Sequence, residues 1–222
     1  MRLSQSSEGE LKIEGINDAA ELVSVGGPKA QKLADLALHQ MDLMRADSYL
    51  NGINLLPVEA AELREGLYLA ALIRCMKCFG FNKSRPHRLD GSVVLGRDVA
   101  GLACFERFKK LRNKHFAHDE NSFAQCVVGA VLNDGTKPYK VEKVVAIPVM
   151  VVAFTEGDWS NLKLVIQRAL EFVSREIDRV CAEISAELEF SDYPDLTARA
   201  KVWMQPAMEA DVGKTRDSSH LG

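Results

Sequence analysis

The longest regular stretch of this 222-residue chain runs from Asp158 to Glu189 and reads DWSNLKLVIQRALEFVSREIDRVCAEISAELE. Apolar residues recur in it every three or four positions, which is the period of a helix with one buried face. They are Leu162, Val165, Ala169, Phe172, Val173, Ile177, Val180, Ile184 and Leu188. A helix of this length, with Asp158 as its expected N-cap, spans a whole domain and predicts a mainly α fold.

Three more helices are predicted upstream. The first follows Gly26-Gly27-Pro28 and ends near Leu50, before Asn51-Gly52. Its predicted apolar side carries Leu33, Leu36, Ala37, Gln40, Met41 and Met44. The second helix runs from Pro57 to Phe79, and the third from about Asp98 to His118 with Leu102, Phe105, Phe108 and Leu111 on its apolar side. Residues 81–100 between them predict a long basic loop with at most one short helical turn.

A pair of strands interrupts the helices. Ala124–Leu132 and Val141–Phe154 are apolar and β-branched, and turn-forming residues join them, which predicts a β-hairpin. A short helix is expected from Pro194 to Met204. We therefore predict a mainly α, up-and-down helical bundle over residues 15–204 with an inserted β-hairpin at about 124–154, and flexible polar segments at 1–14 and 205–222.

Composition narrows the class of protein. Hydrophobic residues make up 47% of the chain, yet the longest apolar run is too short for a membrane helix, and no signal peptide is recognisable. We expect a cytoplasmic protein with five reduced cysteines. Cys75 and Cys78 form a CxxC pair but lack a second ligand pair at zinc spacing, so no metal or cofactor is expected. A metal- or small-molecule-binding bundle that uses this pair and a histidine stays an alternative.

Charge is unevenly distributed along the chain. The formal net charge is −3, but residues 74–114 contain eleven Lys or Arg and three acids, so this block carries +8 and the remainder −11. A local basic block of this kind is typical of a surface that binds phosphates.

The basic block ends in the run Arg112-Asn113-Lys114-His115-Phe116-Ala117-His118. At roughly 100° per residue, Arg112, His115 and His118 would fall within one third of the helix circumference. Imidazoles move protons near neutral pH and a guanidinium binds phosphate through two contacts, as RNA cleavage by the ribose 2′-hydroxyl requires. Alternatively, the same residues merely cap the end of a helix.

Several other polar residues have weaker expected roles. His39 is expected at the surface or the edge of the core, and His87 in a basic loop that faces RNA. Glu65 and Tyr68 on the second helix are candidates to buttress Arg112 across the bundle. A homodimer is expected to bury apolar surface around Phe108 and Phe116.

The run from Leu111 to His118 resembles the signature of the HEPN superfamily, an arginine followed by a polar residue and then a histidine, with five residues between the arginine and the histidine here. The resemblance implies a dimeric helical bundle whose paired motifs form a metal-independent endoribonuclease site. Arg112, Asn113 and His118 would be catalytic, and His115, Lys114, Lys110 and Arg88 would bind RNA. Many such proteins are toxins or antiphage effectors, some with a partner antitoxin, and members with this Ala-His ending include abortive-infection proteins. Other members are noncatalytic dimeric interaction or RNA-binding modules.

Overall fold

A computed structural model describes residues 2–5, 11–15, 21–116, 124–150, 155–202 and 208–213. The protein is mainly helical, as predicted, with two small antiparallel sheets of two strands each among these residues. The elements in chain order are β1 (Arg2–Gln5), β2 (Leu11–Glu14), α1 (Pro28–Ile53), α2 (Ala61–Lys77), α3 (Gly91–Leu95), α4 (Val99–Leu111), a π-helix (Arg112–Phe116), β3 (Ala124–Leu132), β4 (Val141–Met150), α5 (Glu156–Glu189), α6 (Tyr193–Thr197) and a 3-10 turn (Glu209–Asp211). In the described part of the chain, no helix is long and apolar enough to cross a membrane.

Regular structure extends into the polar terminal segments. Strands β1 and β2 pair with Arg2 opposite Glu14 and Gln5 opposite Leu11. The 3-10 turn lies in the C-terminal segment that the sequence assigns to a tail. Neither element was predicted, because both lie in short segments that were assigned to flexible ends from their polar composition.

Helix boundaries differ from the predicted ones where tertiary packing outweighs local signals. Helix α1 starts at Pro28 as expected but continues through Asn51 and Gly52 to Ile53. The Asn51 side chain donates to Asp47 one turn earlier at 2.8 Å, and Ile53 is buried. Burial of an apolar side chain contributes about 1.5–3 kcal/mol, more than one glycine costs in a helix. The burial of Ile53 therefore outweighs the tendency of Asn51-Gly52 to end the helix.

The buried side of α1 is not the one that hydropathy predicted. Leu36 is buried, but Met41 and Met44 are exposed. The side chains that are buried in their place include three polar ones, Asp35, His39 and Asp42. The predicted face was wrong at these positions because it was drawn from apolar residues alone and left out three polar residues that are buried.

Helix α5 confirms the long helix, and Leu162, Val165, Ala169, Val173 and Val180 are buried on one side of it. Its expected N-cap, Asp158, lies within the helix instead. The Thr155 backbone N–H donates to Asp158 Oδ2 at 2.9 Å, and the Asp158 N–H donates back to Thr155 Oγ1 at 3.3 Å. This reciprocal arrangement is a capping box, with Thr155 in the N-cap position.

The hairpin is confirmed across residues 124–150, and residues 151–154 lie outside the described part. Strands β3 and β4 pair from Ala124 opposite Met150 to Leu132 opposite Val141. In the connecting turn, Gly135 has a φ of 85° and donates its N–H to Asn133 Oδ1 at 2.8 Å. A positive φ is readily adopted by glycine, which explains why the turn forms here.

Backbone contacts divide the chain into two compact units. Unit 1 contains Met1–Asp42, Phe79–Leu89 and Leu170–Gly222, and unit 2 contains Leu43–Cys78 and Asp90–Ala169. Helices α1 and α5 contribute residues to both units. The single domain at 15–204 therefore stays a prediction.

Candidate functional site

Helix α4, in unit 2, leads directly into the motif. Asp98 caps its N-terminus by accepting from the Gly101 N–H at 2.8 Å. Phe105, Phe108 and Leu111 are buried on its inner side, as the sequence predicted. This packing fixes the helix that carries the motif. It also corrects one expectation, because Phe108 is only 1% exposed and cannot form a dimer surface.

The motif itself begins with a change of helix type. Residues Arg112–Phe116 form a π-helix, in which hydrogen bonds join residues five apart, directly after the α-helical Leu111. A π-helix rotates by less than 100° per residue, so the α-helical phase used to place Arg112 and His115 on one side does not apply within Arg112–Phe116. Short π segments occur frequently at functional sites, because they change the direction of side chains over one turn.

Two of the three expected catalytic residues are described. The Arg112 side chain is exposed, and its Nη1 donates to Asn113 Oδ1 at 2.8 Å. Asn113 is half-buried. The Asn113 amide therefore holds one guanidinium nitrogen, while an exposed guanidinium has further donors for a phosphate. His118 lies outside the described residues.

The expected RNA-binding residues are distributed over both units. Lys110 and Lys114 are exposed on either side of Arg112 in unit 2. Arg88 is exposed in unit 1, within the loop that precedes α3. The backbone of His115 belongs to the π-helix, but its side chain is outside the described part.

Glu65 and Tyr68 do not buttress Arg112. The Tyr68 hydroxyl is buried and donates to the Asp158 carbonyl oxygen at 3.3 Å. Burial raises the pKa of Tyr68, and the nearby Asp158 carboxylate raises it further. The guanidinium of Arg112 hydrogen-bonds to Asn113 and to neither residue of α2. Tyr68 instead helps to hold the start of α5.

An ion pair that the sequence did not predict joins α4 to α5. Both terminal nitrogens of Arg107 donate to the Asp158 carboxylate, Nη2 to Oδ2 at 3.2 Å. Burial raises the pKa of Asp158, but hydrogen bonds from the Thr155 backbone and from Arg107 outweigh it, so the pKa is lowered overall. Arg107 lies on α4, five residues before Arg112. The ion pair therefore fixes the position of the end of α4, from which the motif continues.

A buried polar cluster occupies unit 1. Asp35, His39 and Asp42 follow one another at four- and three-residue spacing on α1, and all three are almost completely buried. Arg85 Nη1 donates to Asp42 Oδ2 at 2.7 Å. Both the backbone N–H and the ring Nδ1 of His87 lie 3.1 Å from Asp35 Oδ2.

His39 completes the cluster; it is only 1% exposed, whereas it was expected at the surface or the edge of the core. Its Nε2 donates to the His87 carbonyl oxygen at 2.9 Å. Burial lowers the pKa of His39 and so favours the neutral ring, although the hydrogen bond to His87 opposes this shift. The helical spacing of Asp35, His39 and Asp42 was the available signal, but polar residues at helical spacing usually face solvent.

The CxxC pair lies in unit 2. Cys75 and Cys78 are both buried, and burial raises the pKa of Cys75, which favours the thiol form. Within the described ranges, no three His, Cys, Asp or Glu side chains are arranged to bind a metal ion.

The chain has no detectable relatives in three comparisons. No family model matches the sequence, and no curated protein or solved structure is significantly similar to it. The assignment of a function therefore rests on the motif and its surroundings alone.

Proposed function

We propose that this protein is a metal-independent endoribonuclease of the HEPN type, with an up-and-down HEPN-like bundle, acting in the cytoplasm. The observation that carries the proposal is the exposed guanidinium of Arg112, hydrogen-bonded to Asn113 on a π-helix that directly follows α4. Exposed Lys110 and Lys114 beside it supply positive charge for the RNA backbone.

The reaction needs no metal ion, because the substrate carries its own nucleophile. The ribose 2′-oxygen loses its proton, forms a bond to phosphorus, and the bond from phosphorus to the 5′-oxygen breaks. The products are a 2′,3′-cyclic phosphate and a 5′-hydroxyl. His118 transfers a proton as acid or base, and Arg112 stabilises the charge on the phosphate oxygens. His115 contacts phosphate.

The direct test is cleavage of mixed cellular RNA by wild type, His118→Ala and Arg112→Ala in the presence of a chelator. Arg97→Ala is the matched control, because Arg97 is also exposed and belongs to the basic block. We expect both motif variants to lose at least about a hundredfold in rate, as removal of an acid–base group usually does. Equally negligible cleavage by wild type and His118→Ala would contradict the proposal.

A homodimer is part of the proposal, since two motifs together supply two arginines and two histidines. Because Phe108 is buried, we assign the dimer surface to the hairpin instead. Val127 and Ile147 lie on one of its faces, and Val128 and Val144 on the other, and all four are exposed. Val131, Leu132 and Val141 on the same hairpin are exposed as well.

Strand β3 is the edge that we expect to pair with its copy. It contains no charged residue and no proline, whereas β4 carries Glu142, Lys143 and Pro148, which block an edge against pairing. A twofold axis through β3 would make one antiparallel sheet of four strands, in which the backbone N–H and C=O groups along the edge of β3 are paired.

Light scattering tests this surface. Wild type should have twice the mass of the chain, and Val128→Lys should shift the protein to monomer, because a charge at the interface is costly. Leu55→Lys is the control, since Leu55 is exposed in unit 2 but outside the hairpin. Monomeric wild type, or a dimer that Val128→Lys leaves intact, would contradict it.

The alternative is a noncatalytic HEPN-like dimeric interaction or RNA-binding module, which the two-faced apolar hairpin favours. In that case His118→Ala would leave RNA binding and dimerisation unchanged, and wild type would not cleave RNA.

A role as a toxin or antiphage effector with a companion antitoxin is a further part of the proposal. Induced expression should arrest growth with wild type and not with His118→Ala. Growth that is equally impaired, or equally normal, with both proteins would count against it.

A further inference from the structure

The loop Phe81–Arg88 in unit 1 combines an exposed aromatic ring with exposed cations. Phe81 is 78% exposed, and Lys83 and Arg88 are exposed as well. Aromatic rings that stack on bases, together with cations that contact phosphates, are the usual means of binding single-stranded nucleic acid.

Buried contacts hold this loop in one conformation. Arg85 donates to the buried carboxylate of Asp42, and Asp35 holds the backbone and the ring of His87. The Asn82 side chain accepts from the Ser84 N–H at 2.9 Å and closes a turn. An ordered loop loses little conformational entropy when a ligand binds, so it is preorganised for binding.

The contact with Asp35 also determines what the His87 ring can do. A carboxylate oxygen only accepts hydrogen bonds, so Nδ1 of His87 carries a hydrogen, and in the neutral form of the ring Nε2 is left as an acceptor. The side chain is 39% exposed, and within the described part of the chain its Nε2 makes no hydrogen bond.

An acceptor at this position distinguishes RNA from DNA. Phosphate oxygens are acceptors, so they cannot donate a hydrogen bond to Nε2. Among the backbone groups of a nucleic acid, the ribose 2′-hydroxyl is a donor, and DNA lacks it.

We propose that the Phe81–Arg88 loop is a binding site for single-stranded RNA, in which Phe81 stacks on a base, Lys83 and Arg88 contact phosphates, and His87 Nε2 accepts a hydrogen bond from a ribose 2′-hydroxyl. The choice of RNA as the ligand rests on the proposed function. The binding site itself does not depend on cleavage.

The test uses full-length protein that carries His118→Ala, so that RNA is bound but not cut. Fluorescence anisotropy measures its affinity for single-stranded RNA and for single-stranded DNA of the same sequence. In this background, Phe81→Ala should weaken binding of both about tenfold, as loss of one stacked base does. His87→Asn keeps a donor for Asp35 but removes the outer acceptor. It should weaken RNA binding about fivefold, the effect of one hydrogen bond, and leave DNA binding unchanged.

Matched controls come from the same unit. Phe190→Ala removes a phenyl ring that is 92% exposed and is the control for Phe81→Ala. Arg175→Ala removes an exposed arginine and is the control for Arg88→Ala. Both controls should bind RNA like their parent. The proposal is overturned if the parent binds no RNA, if Phe81→Ala binds as Phe190→Ala does, or if His87→Asn keeps the parental ratio of RNA to DNA affinity.

The outcome is separate from that of the nuclease test. If wild type cleaves RNA but Phe81→Ala and His87→Asn bind normally, the loop proposal is wrong and the nuclease proposal stands. If wild type does not cleave but these variants lose binding as described, the nuclease proposal is wrong and the loop proposal stands. Since Phe81 and Arg88 are exposed, their variants keep the test valid even if His87→Asn unfolds.

Discussion

Replacement of Asp158 by asparagine should destabilise the protein at the point where α4 meets α5. The change keeps the shape of the side chain and removes its charge. In the native protein its two oxygens accept from both terminal nitrogens of Arg107, and Oδ2 also accepts from the backbone and hydroxyl of Thr155. Asparagine has one oxygen acceptor and an NH₂ group that would face a donor.

The size of the effect follows from these partners. Loss of an N-terminal capping interaction costs about 1 kcal/mol. Hydrogen bonds to a charged group contribute about 1.5–3 kcal/mol, but the Arg107 side chain is 47% exposed, so solvent screening reduces its part to about 1 kcal/mol. We therefore expect Asp158→Asn to lower the free energy of unfolding by about 2 kcal/mol at pH 7.

The loss should depend on pH in a defined direction. The pKa of Asp158 is lower in the folded protein than the ordinary value of 3.8. Such a group stabilises the fold at pH values above its unfolded pKa, and this contribution disappears as the pH falls through the folded pKa. The difference between wild type and Asp158→Asn should therefore persist above about pH 4 and shrink below it.

Urea unfolding followed by circular dichroism measures both quantities. Asp178→Asn is the matched control, because Asp178 is an exposed aspartate on the same helix. It should change the unfolding free energy by less than about 0.5 kcal/mol. The reasoning is refuted if Asp158→Asn is as stable as Asp178→Asn at pH 7, or if their difference grows on acidification.

Three further predictions concern other parts of the structure. Asp42→Asn should cost about 3–5 kcal/mol in urea unfolding, because it leaves the buried Arg85 without its carboxylate, and a loss below 1 kcal/mol would contradict this. A thiol reagent should modify the exposed Cys126 and Cys181 in the folded protein but reach the buried Cys75 and Cys78 only after unfolding, so modification of all cysteines at one rate would be inconsistent with the fold. Gly91→Ala should lower the melting temperature, since a Cβ there would lie 2.5 Å from Phe105 Cε1, whereas Gly66→Ala, with open space around it, should not, and equal melting temperatures would argue against this packing.

The candidate site was only partly predictable from sequence. The residue types and spacing of Arg112, Asn113 and His118 identify the motif. The π-helix was not predictable, because nothing in local propensity distinguishes it from one more α-helical turn, and it changes which side chains can face one another. The Arg107–Asp158 pair was missed for another reason, since the two residues are far apart in sequence and only the packing of α4 against α5 brings them together.

Hydrophobic periodicity by itself determined the mainly helical class, the length of α5 and the hairpin at 124–150, because these depend on local spacing of apolar residues and on turn-forming residues. The same periodicity predicted the wrong buried face for α1. The side of that helix that is buried carries Asp35, His39 and Asp42, whose burial is tolerable because Arg85 and His87 satisfy the two carboxylates. Partners distant in sequence make that compensation, so only the tertiary structure could decide which face of α1 is the inner one.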